Sequence, residues 1–215
     1  MRFDIITIFP EIFDSYINES ILKRAQKSGA IKIVIHNLRD FTLDKHKKVD
    51  DRPYGGGPGM VMQIEPIVRA LKKIVPRKSA STKIYLTSAK GKTLTQHQAH
   101  TFSKLKKLVL ICGHYEGVDE RIRHYIDGEI SIGNYVLTGG ELPALVIADS
   151  IARLLPGVLG DEESSKDESH ETPGLLEYPQ YTRPENFEEH RVPKELLSGN
   201  HGRISAWRVR HKKHQ

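Results

Sequence analysis

Short apolar runs of strand length alternate with stretches of helical spacing through residues 1–155, and this alternation constrains the fold more than any other feature of the sequence. The runs fall at 3–9, 31–36, 83–87, 108–112 and 129–132, and helical spacing at 20–29, 65–75, 95–103 and 141–155. Strands separated by helices call for crossover connections, a mostly parallel sheet and ligand sites beyond the carboxyl ends of the strands. An α/β core is expected. The segment 141–155 carries Leu142, Leu145, Val146, Ile151 and Leu154 around Asp149, too apolar for a helix with one buried face. It is expected at the centre of the fold or at a subunit contact, which favours a homodimer.

At 215 residues, the chain is one medium domain plus an appendage and buries roughly 70% of its unfolded surface. A composition 38% hydrophobic and 28% charged is that of an ordinary folded protein, neither disordered nor membrane-embedded. No apolar run approaches the ~20 residues that span a bilayer. Met1-Arg2-Phe3-Asp4 leads directly into a strand pattern without a cleavable signal, so the expected compartment is the cytoplasm. The single cysteine, Cys112, allows no internal disulfide and agrees with a reducing compartment. A net charge of +6 favours a polyanionic partner. Positive charge gathers at Lys45-His46-Lys47-Lys48, at Lys104, Lys106 and Lys107, and in 201–215, where no acid occurs. These are either solvated faces or separated phosphate contacts on one large ligand.

Composition changes after Pro156-Gly157. DEESSKDESHET at 161–172 holds six acids, three serines and no aliphatic residue, the composition of a mobile linker. Beyond it, EYPQYTRPENF precedes helical patterns at 192–197 and 203–211, the second with Trp207. The expected division is a domain at 1–160, a flexible acidic linker at 161–173 and a small basic helical domain at 174–215.

Glycine-rich stretches lie at 54–60, 112–117 and 132–141. Each suits a tight turn or a ligand cradle, and two follow expected strands of one sheet, where loops converge. The usual nucleotide motifs fail: Gly91-Lys92-Thr93 lacks a P-loop's first glycine because position 86 is Leu86, and Gly55-x-Gly57 ends on Met60 instead of glycine. His97 and His100 have no third ligand, so no structural metal is expected, while Mg²⁺ accompanying RNA stays open. Cys112, at the apolar end of a strand, reads as an inert buried thiol. What suits the remaining pattern is a cofactor held by backbone hydrogen bonds and apolar walls, and an adenosyl sulfonium fits.

The segments DDRPYGGGPGM (50–60), CGHYEGVDER (112–121), SIGNYVLTGGELP (131–143), PGVLG (156–160), YTRP (181–184) and LSGNH (197–201) together closely resemble the bacterial tRNA (guanine-N1)-methyltransferases, the TrmD family of the SPOUT class. The resemblance covers almost the whole chain, with its motifs in order. It implies a homodimer with an active site shared between subunits, and a SPOUT-type parallel sheet ending in a deep trefoil knot that holds S-adenosylmethionine. The implied cofactor site comprises Thr87, Ser88, Gly113, Tyr115, Glu116 and Gly117, followed by Ile132, Gly133, Asn134, Tyr135, Val136, Leu137, Gly139, Gly140 and Pro143. Backbone groups of 132–137 would hold adenine against Leu137 and Pro143.

The family methylates N1 of the guanine just 3′ of the tRNA anticodon in a G-G context. Transfer requires a base for the N1 proton and a cation for charge developing on O6. By motif position Arg153 is the cation; taken alone it reads as a helix C-terminal arginine complementing the dipole. The family places Asp before Ser and an aromatic, whereas this chain reads Lys166-Asp167-Glu168-Ser169-His170. Counting from 156–160 puts Glu168 on the catalytic position, with Asp167 as the second candidate. Asp50, Arg52, Tyr54 and Gly59 are expected against the tRNA or its flipped guanine, and Arg183, His201, Arg203 and Arg208 against the anticodon stem. Family members commonly continue beyond the position of Gln215, so a weakened grip by the last helix is expected. Two further readings stay open: another knotted RNA methyltransferase, and a non-catalytic RNA-binding relative.

Overall fold

In the computed structural model, which describes residues 1–160 and 168–214, the chain divides into two units, Met1–Gly160 and Asp161–Gln215. The first unit runs β1 (Arg2–Thr7), α1 (Asp14–Ile17), α2 (Ser20–Lys27), β2 (Lys32–Asn37), β3 (Asp50–Asp51), β4 (Val61–Met62), α3 (Ile64–Ile74), β5 (Thr82–Thr93), α4 (Gln96–Ser103), β6 (Lys107–Cys112), β7 (Gly128–Ser131) and α5 (Glu141–Ala152). Five strands form one sheet in the order β2-β1-β6-β5-β7, and every pairing is parallel. Ile5 registers with both Ile35 and Leu110, and Leu86 with Ile111.

Both faces of this sheet are covered, as a parallel sheet with crossover helices requires. Side chains alternate along a strand, so Leu108, Leu110 and Cys112 of β6 join a core with Leu22 of α2, Phe102 of α4 and Ile147 and Ile151 of α5. Val109 and Ile111 enter the opposite core with Ile67 and Leu71 of α3 and with Ile122. Helix α5 buries Ala144, Ile147, Ala148 and Ile151, yet leaves Leu142 57% and Val146 46% exposed. It is central on one side and an uncovered apolar surface on the other.

Two elements differ from what their residues suggest locally. Strand β5 continues to Thr93, well past the apolar run 83–87. Its last residues are recruited by β7: Thr87 and Lys92 both pair with Ile130 and Thr93 with Ser131, so 88–91 stand out of register between them. Gly91 allows the crossing, because a Cβ there would lie 2.5 Å from the Ile130 nitrogen. The glycine-rich stretch 54–60, before which no strand is expected, is the loop of a hairpin between the two-residue strand β3 and its antiparallel partner β4.

Asp4 at the amino end of β1 is buried without exposure. Arg2 donates to it from Nε and Nη2, both at 2.7 Å, His36 Nε2 lies 2.7 Å away and Lys107 Nζ 3.6 Å away. Burial opposes ionisation, but the hydrogen bonds from His36 and Arg2 and the nearby positive charge outweigh it and bring the carboxyl down to about 2.

In the second unit, β8 (Leu175–Leu176) pairs antiparallel with β11 (Lys213–His214) and β9 (Asn186–Phe187) with β10 (His190–Arg191). The helices are α6 (Lys194–Leu197) and α7 (His201–His211). Asn200 caps α7, its side chain accepting the Arg203 N–H at 3.0 Å. Trp207 is buried and stacks on His211 with ring centroids 4.0 Å apart.

Candidate active site

The loops that leave β6 and β7 close over the middle of β5 and wall a cleft of about 350 Å³. Thr87 is the fixed point: its hydroxyl donates to the Ile111 carbonyl at 3.1 Å and accepts from the Gly113 N–H at 3.4 Å. The two loops are then tied together, since the Gly140 N–H donates to the Gly113 carbonyl at 2.8 Å and His114 bridges Gly139. Gly140 has to be glycine: a Cβ would overlap the Thr87 hydroxyl and come within 2.7 Å of the Cys112 Cα. Tyr115 turns at φ +59 on the rim.

The structure brings Thr87, Ser88, Gly113, Tyr115, Glu116 and Gly117 together with Ile132, Gly133, Tyr135, Val136, Leu137, Gly139, Gly140 and Pro143 around this one cleft. Asn134 is not in its lining. The lining also includes His114, Arg123, Glu129 and Ser131, which sequence reasoning did not single out. His114 and Ser131 lie inside the quoted motifs and could have been found there. Arg123 reaches Glu129 at 2.8 Å and had no local signal. Cys112 beneath the cleft is fully buried; burial, and then the charge of Glu141, push its thiol well above the ordinary range, so it is a core residue and no nucleophile.

The β3–β4 hairpin docks beside the cleft. The Met62 N–H donates to the Gly117 carbonyl at 2.9 Å and the Glu116 N–H to Met60 at 3.1 Å. A Cβ on Gly59 would collide with the Glu116 side chain, which brings Gly59 to the rim. Asp50 is half-buried in β3, while Arg52 is exposed and Tyr54 fully so. Gly55, Gly56 and Gly57 carry φ of +87, +80 and +116 with open space around each.

Arg153 follows α5 as its C-cap. Glu168 belongs to the second unit and is half-buried, its carbonyl accepting the Glu171 N–H at 3.3 Å. Asp167 lies outside the described residues. Arg183, His201, Arg203 and Arg208 are exposed, and the Arg208 guanidinium lies over the Tyr178 ring, 5.0 Å from its centre. Among the described residues no group of three or more His, Cys, Asp or Glu side chains could hold a metal ion. No helix there is long and apolar enough to cross a membrane.

A family model described as tRNA (Guanine-1)-methyltransferase TrmD matches residues 1–215. The chain is 56% identical over 211 residues to the tRNA (guanine-N(1)-)-methyltransferase of Clostridioides difficile, covering 97% of this chain and 90% of that protein. It is 53% identical over 210 residues to the protein of the same name from Ruminiclostridium cellulolyticum, with 97% and 90% covered. With that from Dictyoglomus turgidum the identity is 55% over 208 residues, with 97% and 83% covered.

Proposed function

The chain belongs to the tRNA (Guanine-1)-methyltransferase TrmD family, and from that membership we propose that it is an enzyme transferring a methyl group from S-adenosylmethionine to N1 of the guanine just 3′ of a tRNA anticodon, in a G-G context. The observation that carries this reading is the convergence of the motif loops 113–117 and 132–140 with Thr87 on one cleft, at the carboxyl ends of adjacent parallel strands.

The residues present suit an adenosyl ligand. Leu137 and Pro143 line the cleft as apolar walls, the backbone of 132–137 offers donors and acceptors to an adenine edge, and Thr87, Ser88, Gly113, Tyr115, Glu116 and Gly117 surround the rest. S-adenosylmethionine, when bound, would supply the methyl group from its sulfonium. The chain's own residues handle the guanine. A carboxylate takes the N1 proton as the N1–methyl bond forms, and Glu168 holds that role in this reading, with Asp167 as the alternative. Arg153 offers its guanidinium to the charge developing on O6. Asp50, Arg52, Tyr54 and Gly59 contact the flipped guanine or its neighbours.

The finer architecture belongs to the same proposal. A trefoil knot in the first unit is supported by Gly140 lying against Cys112 and Gly113, a backbone-on-backbone approach that threading demands. A homodimer with a shared active site is supported by the exposed Leu142 and Val146 beside exposed Phe9, Ile12 and Tyr16. The second unit grips the anticodon stem through Arg183, His201, Arg203 and Arg208, with 161–173 as the linker. Mg²⁺, if used, enters with the RNA, and the compartment is the cytoplasm.

The test is methyl transfer from labelled S-adenosylmethionine to a tRNA transcript carrying G-G at the 3′ border of its anticodon, beside the same transcript with the target guanine replaced by adenine. Label on the first alone, recovered as 1-methylguanine, is the expected result. Label on both, or on neither, overturns the proposal.

A further inference from the structure

Glu141 opens helix α5 and is only 4% exposed. One of its oxygens is accounted for: Oε1 accepts the Thr7 hydroxyl at 2.8 Å, across 134 residues of sequence, and the Thr7 oxygen in turn accepts the Phe9 N–H at 2.9 Å. The amino end of α5 adds a favourable dipole. The other oxygen, Oε2, borders Gly139. A Cβ built on Gly139 would overlap Oε2 and lie 2.6 Å from His114 Nδ1, so the two polar atoms flank the same point from different loops. His114 Nδ1 is the one buried side-chain nitrogen or oxygen among the described residues without a hydrogen-bond partner. Its ring is held edge-on by Phe9, with centroids 5.1 Å apart, and by Tyr115, at 4.8 Å, and the residue lines the cleft.

A buried nitrogen left unpaired is costly, and a carboxylate beside it is the strongest acceptor the site offers. Resting on the methyl-transfer reading above, we propose that Glu141 is a positioning residue that acts through His114. Its Oε2 accepts the Nδ1 proton of His114, fixes the imidazole in that tautomer and thereby pins the 113–117 loop against 139–141. The terminal torsion of a histidine is broad, so a turn of the His114 ring towards Oε2 is cheap and leaves Oε1 on Thr7. With Nδ1 committed as donor, Nε2 is left as an acceptor for a hydrogen-bond donor on the bound methyl donor. Gly139 is glycine because any side chain would part the pair.

The first experiment uses the whole unliganded chain: nitrogen-15 imidazole spectra, with the His114 signal identified by its loss in His114→Phe. The expected spectrum has His114 protonated at Nδ1, and protonation at Nε2 alone overturns the pairing. The second is calorimetric titration with S-adenosylhomocysteine of the wild type, Glu141→Gln, His114→Phe and the double variant. Each single change is expected to weaken binding about tenfold, as for the loss of one charge-assisted hydrogen bond, and the double variant to bind no more weakly than the weaker single one. Losses that multiply, or unchanged affinity in His114→Phe, overturn the proposal. A role confined to stability would lower the melting temperature without this coupling. If Glu141→Gln does not fold, the wild-type tautomer alone decides. A wild type that does not bind S-adenosylhomocysteine counts against the methyl-transfer reading, while the tautomer still decides the pair.

Discussion

Asp4 shows what a single side chain contributes at the end of the sheet away from the cleft. Its carboxyl sits at about 2 in the fold, against an ordinary value of 3.8. A depressed folded-state pKa contributes stability that is complete above the unfolded value and disappears as pH falls through the folded one. The difference corresponds to about 2 kcal/mol. Asp4→Asn is therefore expected to lower urea-unfolding stability near neutral pH by at least that amount, since Arg2 and Lys107 lose their counter-charge. The gap from wild type should narrow between about pH 4 and pH 2, and a gap independent of pH would refute the assignment. At the proposed catalytic position the expectation concerns rate. Glu168→Gln should slow single-turnover methyl transfer by about 10²-fold or more, the scale of general-base catalysis, while Asp167→Asn changes it little. If Asp167→Asn is the slow variant, the base is Asp167.

Among elements, the loops after β6 and β7 depend on how closely backbone can approach backbone. Gly140→Ala forces a methyl onto Thr87 Oγ1 and the Cys112 Cα, an overpacking expected to cost about 1–3 kcal/mol and to weaken cofactor binding measured by calorimetry. Gly56→Ala meets open space and only the strain of φ +80, so its effect on melting temperature should be smaller, on the scale of about 1 kcal/mol. Equal losses from the two variants would mean that crowding at Gly140 does not hold the loops together. The same reasoning explains the far end of β5, where Lys92 and Thr93 pair with Ile130 and Ser131 of β7 and Gly91 fits over Ile130.

For the whole molecule, the uncovered side of α5 sets the expected assembly. Leu142 and Val146, one helical turn apart, are exposed on a helix whose other side is core, and a charge there should oppose any apolar subunit contact. Val146→Asp is expected to halve the mass seen by sedimentation without lowering the helix content; an unchanged mass would remove this face as the interface. With 201–215 on the tRNA phosphates, as proposed, affinity should fall steeply and log-linearly with salt concentration, and a flat salt dependence would count against that contact.

The alternation of strands and helices, the buried pattern of β1 and β6, and the motif segments that place this chain in its family are all legible in the residues alone. These are local properties: period-two and helical spacing, and glycines at fixed offsets, need no knowledge of what lies across the fold. It takes the packed fold to show that β5 runs on to Thr93, that Asn134 stays out of the cleft lining while Arg123 and Glu129 enter it, and that Asp4 gathers Arg2, His36 and Lys107. Likewise no spacing rule links Thr7 to Glu141, because such a contact depends on which strands become neighbours in the sheet. The order β2-β1-β6-β5-β7 brings the carboxyl ends of β1 and β6 together beneath α5, and that adjacency, not sequence separation, sets the distances between their side chains.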